Sequence, residues 1–189
     1  MKTLPEGRFR KRRTPMKPVI ATVAVVSFVL GAASAYAAKV VFDPKAYYAG
    51  KEPKAAAQAM LDRAEVLAEK GSWERIGIGR VYYLSGNKEK GKALFDAVLG
   101  GKVAKSDLYR IASVYAQAGE FEKAKPLFER GIAMDPEDDK SIIEAGCWYN
   151  LNGDRARAEQ LFDSAFAEAP SDMWHYVVAA GSYLGVQPF

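Results

Sequence analysis

Apolar and small residues along this chain fall three and four apart, and the pattern comes back at a fixed interval. Within 105–138, Leu108, Ile111, Ala112 and Tyr115 share one helix face, and Ala124, Leu127, Phe128 and Gly131 form a second stripe. Gly119 between the stripes predicts the left-handed backbone that ends the first helix, and Glu120 opens the next. Pro136 closes the unit, because proline cannot continue a helix interior. The segment 139–172 repeats this with Ile142, Ala145, Gly146, Tyr149, Gly153, Ala158, Phe162, Ala165 and Pro170. Tyr82, Tyr115, Tyr149 and Tyr183 recur at spacings of 33, 34 and 34 residues. Gly86, Gly119 and Gly153 keep the same beat, as do Phe95, Phe128 and Phe162, and as do Ala57, Gly91, Ala124 and Ala158. Four kinds of position on one period predict stacked helix hairpins.

The flanks carry the pattern in weaker form. Residues 72–103 keep Ile78, Gly79, Tyr82, Gly86 and Phe95, with Gly91 in place of alanine and Gly100-Gly101 in place of the closing proline. Upstream, 54–70 predicts one helix with Ala57, Leu61 and Ala64 in the second-helix register, stopped by Gly71. Downstream, 173–184 predicts a first helix without its partner. One hairpin cannot bury its own stripe, so neighbours must stack to make a continuous core. Pro126 sits about six residues into its helix, where it is expected to bend the helix or delete a backbone bond on the solvent side.

These residues resemble the tetratricopeptide repeat. The small position of its first helix is Ala112 and Gly146 here, its aromatic Tyr115 and Tyr149, and the small residue of its second helix Ala124 and Ala158. Phe128 and Phe162 follow, then Pro136 and Pro170. The resemblance implies an all-α fold, an α-α superhelix of about three helix hairpins with N- and C-terminal capping helices over 54–189. It also implies a concave groove lined by the first helices. The family's groove pattern falls on Trp73, Ile76, Arg80 and Tyr83, then Tyr109, Ser113, Ala116 and Gln117, then Ile143, Cys147 and Asn150, with Arg110 at the margin. Aromatic side chains and arginine are the usual anchors for a partner peptide. The co-chaperone branch of the family clamps a terminal carboxylate with Lys, Asn and Arg. Tyr109, Ser113 and Ile143 stand where several of those would be, which argues against that ligand. The last helix is apolar, with Trp174, Val177, Tyr183 and Phe189 as a candidate second interface, for another copy of the chain, a partner protein or the membrane surface, or else covered by its own tail.

Composition changes the picture mainly at the N-terminus. The net charge is +4, yet Lys2, Arg8, Arg10, Lys11, Arg12, Arg13 and Lys17 crowd the first 37 residues. The remainder has no positive excess to hold nucleic acid. An uncharged run follows over 18–38 and ends in Ala35-Tyr36-Ala37. Residues 1–37 therefore read as a signal peptide cleaved after Ala37, or as an N-terminal membrane anchor, with 38–53 a linker. Cleavage is favoured because the apolar core is short. Met1 and Met16 are both candidate starts. Either form predicts export, with the folded part periplasmic or tethered to the inner membrane of a Gram-negative-type envelope.

Candidate chemistry is sparse. Cys147 and His175 are single, so neither a disulfide nor a Cys/His zinc site is expected, and no cofactor or metal is assigned. The acidic run 135–139 lacks calcium-loop spacing and reads as a solvated turn. The expected function is a non-catalytic scaffold or adaptor that binds a peptide or protein surface in its groove. The alternative is an accessory or catalytic subunit of an enzyme acting on peptidoglycan or polysaccharide, with Trp73, Tyr83 and Tyr109 stacking on sugars. Groove carboxylates about 5–9 Å apart would favour that alternative.

Overall fold

The structure, a computed structural model, describes residues 43–188. The chain forms two compact units, 1–46 and 47–189, and only the last few residues of the first are described. The leader expected over 1–37, most of the linker, and Phe189 lie outside the described residues. After a 3-10 turn at Pro44–Tyr47, every element is an α-helix: α1 (Pro53–Ala68), α2 (Ser72–Leu84), α3 (Lys88–Leu99), α4 (Lys105–Gln117), α5 (Phe121–Met134), α6 (Asp139–Leu151), α7 (Arg155–Glu168) and α8 (Met173–Tyr183). No strand occurs among the described residues, and none of their helices is long and apolar enough to cross a membrane.

Helices α2/α3, α4/α5 and α6/α7 pack as three hairpins, and the first helices α2, α4, α6 and α8 also touch in series. The fold is therefore all-α, a helical solenoid of the expected kind. Turns between paired helices use Gly86 (φ 100°), Gly119 (φ 75°) and Gly153 (φ 88°), a conformation that disfavours any Cβ. Aspartates and an asparagine cap α3, α6, α7 and α8. Asn87 accepts from the Lys90 N–H, Asp138 from Ser141, Asp154 from Arg157 and Asp172 from Trp174.

Inside each hairpin a small residue of the first helix lies under a phenylalanine of the second. A Cβ on Gly79 would meet the Phe95 ring at 2.6 Å, and one on Gly146 the Phe162 ring at 2.7 Å. Gly91, a departure from the repeat pattern, has a physical reason. A Cβ there would lie 2.7 Å from the Gly79 carbonyl oxygen and 2.8 Å from the Tyr83 backbone nitrogen, so α2 and α3 approach more closely than alanine allows. Phe95, Phe128, Tyr115 and Tyr149 are buried in one core that runs from α2 to α8.

Three details differ from the sequence expectation, and a fourth, Pro126, agrees with it. Ala57 is exposed while Ala56 is buried, and α1 packs on α2 through Leu61, Ala64 and Ala68. The residue with positive φ after α1 is Glu69 (φ 46°), whereas Gly71 is extended. Pro126 is exposed and α5 continues through it from Phe121 to Met134, so its missing N–H falls on the solvent side. The acidic turn is a tether. Lys105 Nζ lies 2.6 Å from both Asp135 and Asp138, joining the start of α4 to the turn before α6.

Candidate functional site: a concave pocket on the first helices

A pocket of about 550 Å³ opens on the first helices, lined by α2, α4, α6 and the segment after α8. Its phase in the repeat is regular. Ile76 and Tyr109 occupy one register position, Arg80 and Ser113 another, and Gly77, Arg110 and Glu144 a third. Seven residues named from sequence converge here: Trp73, Ile76, Arg80, Tyr109, Arg110, Ser113 and Gln117.

Arginine chemistry dominates the rim. The Arg110 guanidinium carbon lies 3.4 Å from the centroid of the Trp73 ring, a stacked cation–π contact that holds the 61% exposed indole. Arg80 Nη2 donates to Gln117 Oε1 at 3.0 Å, bracing α2 against α4. Deeper in, the Ser113 hydroxyl stands 2.9 Å from the Tyr109 carbonyl oxygen and 3.4 Å from Glu144 Oε1. Burial raises the Glu144 carboxyl above its ordinary range, opposed by the Ser113 hydrogen bond and the Arg110 charge. Burial likewise lowers Arg110, opposed by Asp107 and Glu144. Asp107 accepts from the Ser72 hydroxyl and the Ala104 N–H, each at 3.1 Å, which fixes the start of α4 beneath the pocket.

Three buried polar atoms on lining residues have no hydrogen-bond partner: Tyr109 Oη, Arg110 Nη1 and Trp148 Nε1. Buried donors without acceptors are uncommon in folded proteins and call for a partner. The pocket therefore offers hydrogen-bond donors beside aromatic surface. Among its lining residues Glu144 is the one carboxylate, so they hold no acid pair.

The other sequence-named residues lie elsewhere. Tyr83 is buried and donates to Glu120 Oε2 at 2.5 Å, with its ring edge-on to Tyr115. Ala116 is buried in the core. Ile143 lines a separate pocket of about 300 Å³ beside α8. Cys147 is wholly buried, its thiol pushed up to about 12 by burial. Asn150 Nδ2 donates to Ser182 Oγ at 2.9 Å. Helix α8 covers α6 at these positions. Residues missed in the sequence are Glu144, Trp148, Gln187 and Pro188. Glu144 was within reach, since it shares the register of Arg110. Gln187 and Pro188 carry no repeat signal, yet the chain after α8 turns back so that Gln187 accepts from Gln117 Nε2 at 3.5 Å.

On α8, Trp174, Val177 and Tyr183 are exposed. The Arg155 guanidinium lies 5.3 Å from the Tyr183 ring, and Phe162 flanks it from α7. At the junction of α6 and α8, Asp139, Asp172 and His175 bring three ligand-type atoms together.

Stacked antiparallel hairpins with a pocket on their first helices define a helical-repeat protein of the solenoid class. Residues 108–138, most of the α4–α5 unit, match the tetratricopeptide repeat family model, and that match supports this family for the array. Neither the curated proteins nor the solved structures provide a match. Repeats of this family are generally protein–protein interaction motifs.

Proposed function

We propose that this protein is an exported, non-catalytic adaptor that binds an extended segment of a partner protein in the pocket between α2, α4 and α6. The observation that carries this reading is the unpartnered trio Tyr109 Oη, Arg110 Nη1 and Trp148 Nε1 beside the exposed Trp73 ring. An extended peptide presents carbonyl acceptors along its backbone and apolar side chains between them, which matches donors interleaved with aromatic surface. The regular succession of Ile76, Tyr109 and their neighbours suits a ligand that runs along the stack. Exclusion of water by such a ligand would strengthen each bond made to the buried donors.

The basic cluster and uncharged run of the leader support an envelope setting, with the folded part periplasmic or inner-membrane anchored. The polysaccharide-enzyme alternative needs two carboxylates in the groove, and the pocket lining supplies Glu144 alone. The test is crosslinked capture from envelope extracts with wild type and with Trp73→Ala/Tyr109→Ala. The reading predicts a protein recovered by the wild type and lost from the double variant. The same proteins recovered by both would overturn it.

A further inference from the structure

We propose that Asp139, Asp172 and His175 form a binding site for a divalent first-row transition-metal cation, with zinc as its representative, at the junction of α6 and α8. Each residue contributes one ligand-type atom, and these atoms lie within 4.8 Å of one another. His175 Nε2 stands 3.1 Å from Asp139 Oδ2 and 4.0 Å from Asp172 Oδ2. Two ligands held about 2.1 Å from one ion sit about 3.0–3.4 Å apart at octahedral or tetrahedral angles. The first separation already has that value, and the second closes with a small rotation of the partly exposed Asp172 side chain.

The imidazole supplies the independent observation. His175 is 1% exposed, and neither ring nitrogen makes a hydrogen bond. Nε2 is near enough to the Asp139 carboxylate, but its direction is wrong for an N–H···O bond. A buried polar group left this way points to a missing ion or water. An ion between Nε2 and the two carboxylates accepts the nitrogen lone pair and leaves the proton on Nδ1. Phe166, 5.9 Å away and edge-on, packs against the ring from α7.

Local sequence prepares the carboxylates. Asp139 is the first residue of α6, and Asp172 caps α8. Asp172 Oδ1 is engaged by the Trp174 N–H at 2.8 Å, which leaves Oδ2 for an ion. Both acids stand at helix N-termini, where the backbone dipole favours negative charge. The site reaches solvent through the pocket of about 300 Å³, whose lining includes Asp172, His175 and Glu144. One imidazole with two carboxylates suits zinc, manganese, cobalt or nickel rather than calcium or magnesium. With three protein ligands, further coordination positions stay open to water. A bound ion would staple α8 to the last full hairpin.

The experiment uses the full chain without an affinity tag, stripped with a chelator and then titrated with zinc alone by calorimetry. Thermal melts with and without zinc run alongside. The expected result is one zinc per chain and a zinc-dependent rise in melting temperature. Asp139→Asn and Asp172→Asn should each weaken zinc at least about tenfold, as loss of even an outer ligand partner does in known sites. Asp172→Asn keeps the helix-cap acceptor, so both variants should melt near wild type without zinc; His175→Gln is the harsher third variant. No zinc uptake, or uptake equally tight in both Asn variants, would overturn the proposal.

Discussion

The step from α4 to α6 and the step from α6 to α8 use the same repeat positions for opposite ends. Ser113 and Cys147 are equivalent in register, yet Ser113 lines an open pocket and Cys147 is wholly enclosed. Asn150 is taken up by Ser182 of α8. The packing between α6 and α8 runs along much more of the helices than that between α4 and α6. Repeat register therefore determines which side of a helix faces inward along the stack. The fit of each successive helix decides whether that side becomes groove or core.

The largest effect should come from a residue that supports both steps. Phe128 lies fully buried beneath α4 and near Tyr149 of α6. Phe128→Ala should cost about 3–5 kcal/mol in urea melts. Unchanged stability would mean that the hairpin interiors do not carry the stack.

The comparison itself is sharpened by enlarging both members of an equivalent pair. Cys147→Phe should overpack the α6–α8 contact and cost about 1–3 kcal/mol. Ser113→Phe should project into the pocket, cost under about 1 kcal/mol and abolish partner capture. Equal destabilisation by the two would erase the distinction between open and closed steps.

Two glycines give a finer version. A Cβ on Gly146 meets the Phe162 ring at 2.7 and 2.8 Å, whereas one on Gly77 meets nothing within 4 Å. Gly146→Ala should destabilise by about 1–3 kcal/mol. Gly77→Ala should stabilise by about 0.5–1 kcal/mol, because alanine loses less backbone freedom in a helix. Melting temperatures moving in the same direction would contradict the packing described.

The smallest effect concerns acid. Hydrogen bonds from Lys123, Lys88 and Tyr83 hold the Glu120 carboxyl down at about 2. A depressed carboxyl adds stability above its ordinary value near 4.5 and loses it as the pH falls towards 2. The stability gap between wild type and Glu120→Gln should thus be constant from pH 7 to about 5 and close at lower pH. A gap independent of pH would remove Glu120 from the ties between the first two hairpins.

Much of the architecture was legible in the sequence because it is periodic. Tyr82, Tyr115 and Tyr149, the turn glycines and the paired phenylalanines declare both helix faces and both ends of each hairpin. The groove was legible in part for the same reason. Trp73, Ile76, Arg80, Tyr109, Ser113 and Gln117 follow from register alone, whereas Cys147 and Asn150 depend on where α8 comes to rest. Gln187 and Pro188 were invisible because a return of the chain after α8 leaves no periodic mark. Ala57 misleads because a terminal helix meets one neighbour rather than two. The acidic run 135–139 is similar: composition suggests solvent, and only the position of Lys105 turns it into a tether.

The central claim, that the pocket side of the first helices is the working surface, is tested by a photo-crosslinking residue at exposed Gln117 or at Glu122 on the outer helix α5. Ultraviolet irradiation of cells should give one partner adduct from position 117, none from position 122, and a loss of that adduct when Trp73→Ala is added. An adduct from position 122 alone, or one at 117 indifferent to Trp73, would contradict the account.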